Sequence, residues 1–547
     1  MTNQQDEVHQ MRVAYFDLAG KEIDADLDDV AAVAAEYASA SQTQRAPRTG
    51  PWLTLLLSAL TVIVAIASVG SWLWLRPFDP AKTAAGRVFA HDVPDFVVAL
   101  SQSDPAKLAD ARSRATGASA RAALGAPVVE KLDALLAASE AFRNAPAEEQ
   151  AKNDFLLATA GVNRELREAG KPYFLDADYL GSTTSVTPIL LGFYVQRERG
   201  VTSAGKEERV VHLWRLDRLN KNQHYYGYTR SSTPAAIVLL DQIESDLVRD
   251  VLPALPDGEV MQLVDEETAL SEEKWVAEVN ARGAKLVRDY FAQAPAVHDD
   301  AVVTVARLLA RRRALVAKWR RELAGLGHIL VVPERLVPEA DYAEELSLRV
   351  PRAGLLEWNE LHDELLTKDK LAAFERLRDH YVASVERHEV QHRLDYRRDL
   401  VPVPPVLVEL LGVENPLGAL PASRPARARD ELSAFLASVI DAGPSPALEL
   451  ALMARHIFHK SSLGNAYSYA VLAAFIGIAK ELGIDPQTHL GKGSIRRARV
   501  GKLFLALSER PAAEVRKAAA RFYATSYGQA LPAVQQTSSR DNPSWRH

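Results

Sequence analysis

His388, Glu389 and His392 fall together as His388-Glu389-Val390-Gln391-His392 inside the stretch SVERHEVQHRLDYRRD, Ser384 to Asp399. Residues four apart on a helix share one face, with Cβ atoms about 5–6 Å apart. Two imidazoles so placed can converge on one ion at about 2.0–2.1 Å. Glu389 follows the first histidine by about a quarter-turn, too offset to join them as a ligand but suited to accept a proton from metal-activated water. The chemistry these types and spacings point to is metal-assisted hydrolysis. The plain alternative is a pair of ordinary half-buried histidines. The chain has no cysteine, which excludes a disulfide framework and any thiolate-ligated metal.

The element that must position these groups is legible. TKDKLAAFERLRDHYVASVERHEVQHRLDYRRDL contains neither Pro nor Gly and stops before Val401-Pro402, as helices tend to do. Leu371, Phe374, Leu377, Tyr381 and Val385 form an apolar stripe in steps of three and four. The next two positions of that stripe are His388 and His392, so both histidines are expected to face the interior.

With its helix, the motif resembles the zincin metallopeptidases. The resemblance covers these five residues and the helix around them, and the chain departs from the family at Glu386 and Arg393, charged where zincins usually have uncharged residues. Val385 and Leu394 keep the hydrophobic character. The resemblance implies that His388 and His392 bind Zn2+ and that Glu389 is the general base. A third protein ligand leaves the fourth position for water. The metzincin extension is absent, since Asp395 and Arg398 stand where it needs Gly and His. The gluzincin pattern, a later Glu in E-x-x-A, is met by Glu431-Leu432-Ser433-Ala434, and Glu431 is the expected third ligand. Glu409, Glu414, Glu449 and Asp395 remain rivals, and Glu431 could instead be a first-turn acid on its own helix. Gluzincins can carry an aspartate four residues after the ligand; here that position is Phe435, which leaves Asp430 or Asp395 to orient a histidine. ARHIFHKSSLGNAYSYA offers His456, His459, Tyr467 and Tyr469; the expected catalytic oxyanion donors are His456, His459 and Tyr467, the alternatives being a second metal pair of His456 and His459, or ordinary polar residues beside a core helix.

The rest of the chain gives this site its setting. At 547 residues, 48% hydrophobic and 25% charged, the chain is too long for one core and ordinary in composition. A net charge of −6 gives no bulk attraction to nucleic acid. Trp52 to Leu75 is uncharged, long enough to span a bilayer as a helix, and has Trp52, Trp72 and Trp74 at its ends. The expected fold class is α+β, with a single N-terminal transmembrane helix, a β-containing middle domain and a mainly helical zincin-like C-terminal domain. The expected segments are an acidic, cytoplasmic 1–50, the membrane helix 51–76, a helical stalk or bundle over 77–170, a β-rich domain over 171–260, the metallopeptidase domain over 261–530, and a polar tail over 531–547. Flanking positive charges do not decide orientation; a large C-terminal body favours a cell-membrane protein with that body periplasmic or extracytoplasmic. The expected activity is a membrane-anchored zinc-dependent peptidase acting on peptides or proteins. The competing expectation is a non-enzymatic envelope scaffold or sensor whose H-E-x-x-H helix is structural.

Overall fold

The computed structural model describes residues 78–543, except 183–184, 218, 220–225, 231–232, 257–260, 265–272, 294–299, short breaks between 326 and 348, 398–401, 413–422, 442–445, 459–463 and 491–495. By its contacts the chain divides at Arg76, and Pro77–His547 forms one compact unit. The segment 1–50 and the expected membrane helix 51–76 lie outside the described residues.

After short helical turns over Pro80–Asp92, the described unit begins with α1 (Val93–Gln102), α2 (Pro105–Thr116), α3 (Ala118–Leu124), α4 (Ala126–Asn144) and α5 (Glu149–Glu168). Asp104 caps α2 by accepting from the Lys107 amide at 3.1 Å, and Pro105 fills its first position, where no amide is needed. Then come β1 (Tyr173–Ser182), β2 (Ser185–Ser203) and β3 (Lys206–Arg215), which pair antiparallel in sequence. β4 (Gly227–Tyr228) is short, and β5 (Ala236–Leu239) pairs parallel with β3 and antiparallel with β4. The order is β1-β2-β3-β5-β4, so β4 ends this path.

Strand residues alternate between two cores, as a pleat requires. On β5, Ala236 and Val238 join the main core, whereas Ile237 and Leu239 join a smaller cluster with Phe193, Val195, Val211 and Leu213. That smaller cluster is built from sheet residues and their connections, as the inside of a curled sheet must be. The expected polar tail is partly structured: β6 (Gln535–Asp541) pairs antiparallel with Thr202 to Arg197 of β2. Its side chains are all exposed, so no apolar alternation marked it.

The longer helices after the sheet include α6 (Leu240–Asp246), α7 (Glu273–Gln293), α8 (Asp300–Ala324), α9 (Arg352–Leu365), α10 (Lys368–Tyr396), α11 (Pro405–Leu411), α12 (Arg424–Asp441), α13 (Pro446–Phe458), α14 (Ala466–Glu481), α15 (Arg497–Ser508) and α16 (Ala512–Tyr527). The fold is α+β, but the expected class is corrected in its membrane helix: among the described residues no helix is long and apolar enough to cross a membrane. The physical reason is length against charge. α10 and α8 have 29 and 25 residues but are studded with charged side chains. α14 is buried along most of its length but has only 16 residues, about 24 Å at 1.5 Å per residue, against a hydrocarbon core of about 30 Å.

Candidate metal centre

The motif helix is α10, and of its expected interior stripe Phe374, Leu377 and Tyr381 are buried and His392 is 8% exposed, whereas Leu371, Val385 and His388 are half-buried. Around the motif the burial extends to other faces, because Arg387, Glu389, Val390 and Gln391 are buried too. Here α10 runs between the sheet and α12.

The two charged departures from the zincin pattern fasten α10 to the sheet. Glu386 Oε2 accepts from Arg199 Nη1 on β2 at 3.0 Å and lies 3.0 Å from His212 Nε2 on β3. Arg393 Nε donates to Glu208 Oε2 on β3 at 3.2 Å, and its Nη1 donates to the Thr233 carbonyl at 3.2 Å. Further back, the Arg378 guanidinium lies 5.2 Å from the centre of the Trp214 ring. Glu208, His212 and Trp214 share one face of β3 by the period of two, so the helix lies antiparallel along that strand.

A second network sets α10 against α12. Gln391 is fully buried, and the two N–H groups of its Nε2 face three oxygens, Asp395 Oδ1 at 2.9 Å, Tyr523 OH at 3.1 Å and Ser433 Oγ at 3.2 Å. Arg387 donates to Gln391 Oε1 at 3.0 Å and to Asp441 Oδ2 at 2.7 Å. Ser433 and Asp441 are both on α12, so these bonds fix the register that brings Glu431 opposite the histidines.

That register closes a triangle. His388 Nε2 and His392 Nε2 lie 3.2 Å apart, and Glu431 Oε2 is 3.4 Å from the first and 3.7 Å from the second. Ligands at about 2.0–2.1 Å around a tetrahedral ion stand about 3.3–3.4 Å from one another. The three donors therefore fit one divalent cation with a fourth direction open. Glu431 Oε2 is buried, and its nearest polar neighbours are the two imidazole nitrogens. Among the described residues this is the one such group of His, Asp and Glu donors.

Without a metal, the three groups act on one another as a buried carboxylate beside two imidazoles. Burial opposes the charged form of His392, but the Glu431 carboxylate prevails and pushes the imidazole up to about 9. Burial pushes His388 down. Glu431 is held well below the usual carboxylate range, since His392 and His388 outweigh its burial. Burial pushes Glu389 up to about 7, against the pull of His392.

The other expected residues divide. Phe435 packs its ring 5.0 Å from that of His388 and 5.5 Å from that of His456. Tyr467 stacks on His456 at 5.3 Å, and the Glu431 charge, with burial, pushes its phenol up. The structure thus brings His456 and Tyr467 to the metal cluster; His459 lies outside the described residues. The rival ligands do not join: Glu409 is exposed, Glu449 is held near Ser384, Asp395 bonds Gln391, and Glu414 lies outside the described residues. Asp430 is engaged by Arg429 at 2.7 Å.

Thr229 carries no signal in the sequence. Its Oγ1 lies 3.1 Å from Glu389 Oε2 and 3.1 Å from the Glu389 carbonyl oxygen. It follows β4, far from the motif in the chain, and no local pattern relates the two. Comparison of the chain with protein-family models, curated proteins and solved structures gives no match.

Proposed function

We propose that this chain is a zinc-dependent peptidase whose metal is held by His388, His392 and Glu431. The observation that carries the reading is the triangle of 3.2, 3.4 and 3.7 Å between their donor atoms. Two imidazoles and a carboxylate with a fourth direction open are a donor set suited to catalytic zinc. Zinc bound there supplies Lewis acidity toward a carbonyl and makes water more acidic.

The chain's own groups supply the rest. Glu389 sits beside the first ligand, and a carboxylate held there is suited to taking a proton and returning it to a leaving amine. Tyr467 is a protonated phenol near neutral pH, held up by the Glu431 charge and bonded to Glu431 in the metal-free protein, and its hydroxyl is the group that would turn to a developing oxyanion. His456 packs against Tyr467 and helps hold that ring.

The test uses the purified full chain, metal analysis and a quenched-fluorescent library of random peptides. The expected result is one zinc per chain with hydrolysis, loss of zinc in H388A, and retention of zinc without hydrolysis in E389Q. Full hydrolysis by E389Q, or less than about a tenth of a zinc per chain after metal-sparing purification, overturns the reading.

A further inference from the structure

The edge of the sheet carries a cradle for Glu389. Gly227 on β4 lies against that side chain: a Cβ at Gly227 would fall 2.6 Å from Glu389 Cγ, 2.9 Å from Glu389 Oε1 and 2.5 Å from the Ile237 carbonyl oxygen. Two residues on, and so on the same side of an extended chain, Thr229 reaches Glu389 Oε2 at 3.1 Å. Thr229 is itself fixed, being 9% exposed and accepting at its carbonyl from Tyr396 OH at 3.1 Å. Tyr396 closes α10, the helix that carries Glu389. Helix and strand end thus grip one another around a single carboxylate.

From this we infer that Thr229 and Gly227 are positioning residues that hold the Glu389 carboxylate in one orientation relative to His388, His392 and Glu431. The inference rests on the peptidase reading for its catalytic consequence, but the orientation itself is a property of the protein. A buried glutamate has three side-chain torsions, and its two oxygens are equivalent until a neighbour distinguishes them. Thr229 does so by bonding Oε2. The hydroxyl has one proton, shared between Oε2 and the Glu389 carbonyl oxygen, so the bond ties the carboxylate to its own backbone as well as to the strand. Gly227 leaves the space that Cγ and Oε1 fill. The hydroxyl serves no substrate-binding role in this account. It acts through Glu389, and its removal changes the rate without changing metal or substrate affinity.

The experiment compares T229V, T229A, T229S, E389Q and the E389Q/T229V double variant of the full chain. Crystal structures of metal-free T229V and T229A are expected to show the Glu389 carboxylate displaced from β4, and that of T229S to keep it in place. On the zinc-loaded protein with the random-peptide library, T229V and T229A are expected to lose about ten- to a hundredfold in kcat, the range for removing a group that orients a catalytic residue. KM and zinc content stay at wild-type values, T229S recovers the rate, and the double variant is no slower than E389Q. An unmoved carboxylate in both T229V and T229A overturns the inference whatever the assay reads. Wild-type kcat in both, with E389Q inactive, also overturns it. If E389Q is as active as wild type, the peptidase reading fails, and the two crystal structures alone decide the orientation.

Discussion

Glu431 Oε2 lies 3.4 Å from His388 Nε2, although the two residues belong to different helices separated by a proline-rich connection. The carboxylate is half-buried with Oε2 turned inward, and it is the group that raises His392. Its replacement therefore tests the metal centre apart from the catalytic base. Glu431→Gln keeps the volume and removes the charge. Zinc affinity is expected to fall at least a hundredfold, with helical content unchanged. Competition against a chelator measures the affinity, and circular dichroism checks the fold. Wild-type affinity in this variant would leave Glu431 as a second carboxylate near the site rather than a ligand.

Tyr467→Phe removes one hydroxyl and keeps the ring that stacks on His456. Loss of a single oxyanion donor typically costs about 10²–10³ in kcat, and that range is expected here, with zinc content and KM unchanged. Steady-state kinetics on a single peptide selected from the library checks it. A fall in zinc content would instead assign Tyr467 to holding Glu431.

The histidine pair and Glu431 were legible because each rests on a local regularity: two positions of an apolar stripe, and a glutamate at a fixed offset from an alanine on a second helix. Thr229 and Gly227 were not legible. Their relation to Glu389 exists only after β4 packs on α10, and a threonine or glycine near a strand end has many commoner explanations. Glu386 and Arg393 read as departures for the same reason. Their partners Arg199, His212 and Glu208 lie in strands, and a charge on the buried side of a helix has meaning only beside its counter-charge. β6 was hidden differently. QQTSSRD has no apolar face, and its pairing with β2 is supplied by backbone groups that every sequence carries.

Glu386 offers a test of the helix-to-sheet contact. Its side chain is 12% exposed and faces Arg199 and a His212 that is 2% exposed. Glu386→Ala removes the acceptor from a buried His212 and from a half-buried Arg199. The expected loss of stability is about 2–4 kcal/mol, in keeping with breaking a buried pair by removing one member. Denaturant unfolding of the metal-free protein measures it, so that zinc binding does not mask the change. A loss below about 0.5 kcal/mol would show that the pair is solvated and that α10 is held by its apolar contacts alone.

Glu449 gives the chain a pH dependence away from the metal ligands. Burial pushes its carboxyl up to about 7 from an ordinary 4.5, against a hydrogen bond with Ser384 that pulls the other way. The folded state therefore keeps this proton over a range in which the unfolded chain has released it. Stability from this group is fully present below about pH 4.5 and declines as pH rises toward 7. It is constant above that, since both states are then ionised. Glu449→Gln cannot ionise and lacks the decline. Relative to the variant, the wild type is expected to lose about 1–3 kcal/mol between pH 4.5 and 8. Unfolding free energies of the two proteins, measured side by side across that interval in metal-free buffer, give the difference directly, because all other titrating groups are common to both. A difference that stays flat from pH 4.5 to 8 would mean that water reaches the carboxylate and that it ionises as an exposed glutamate does.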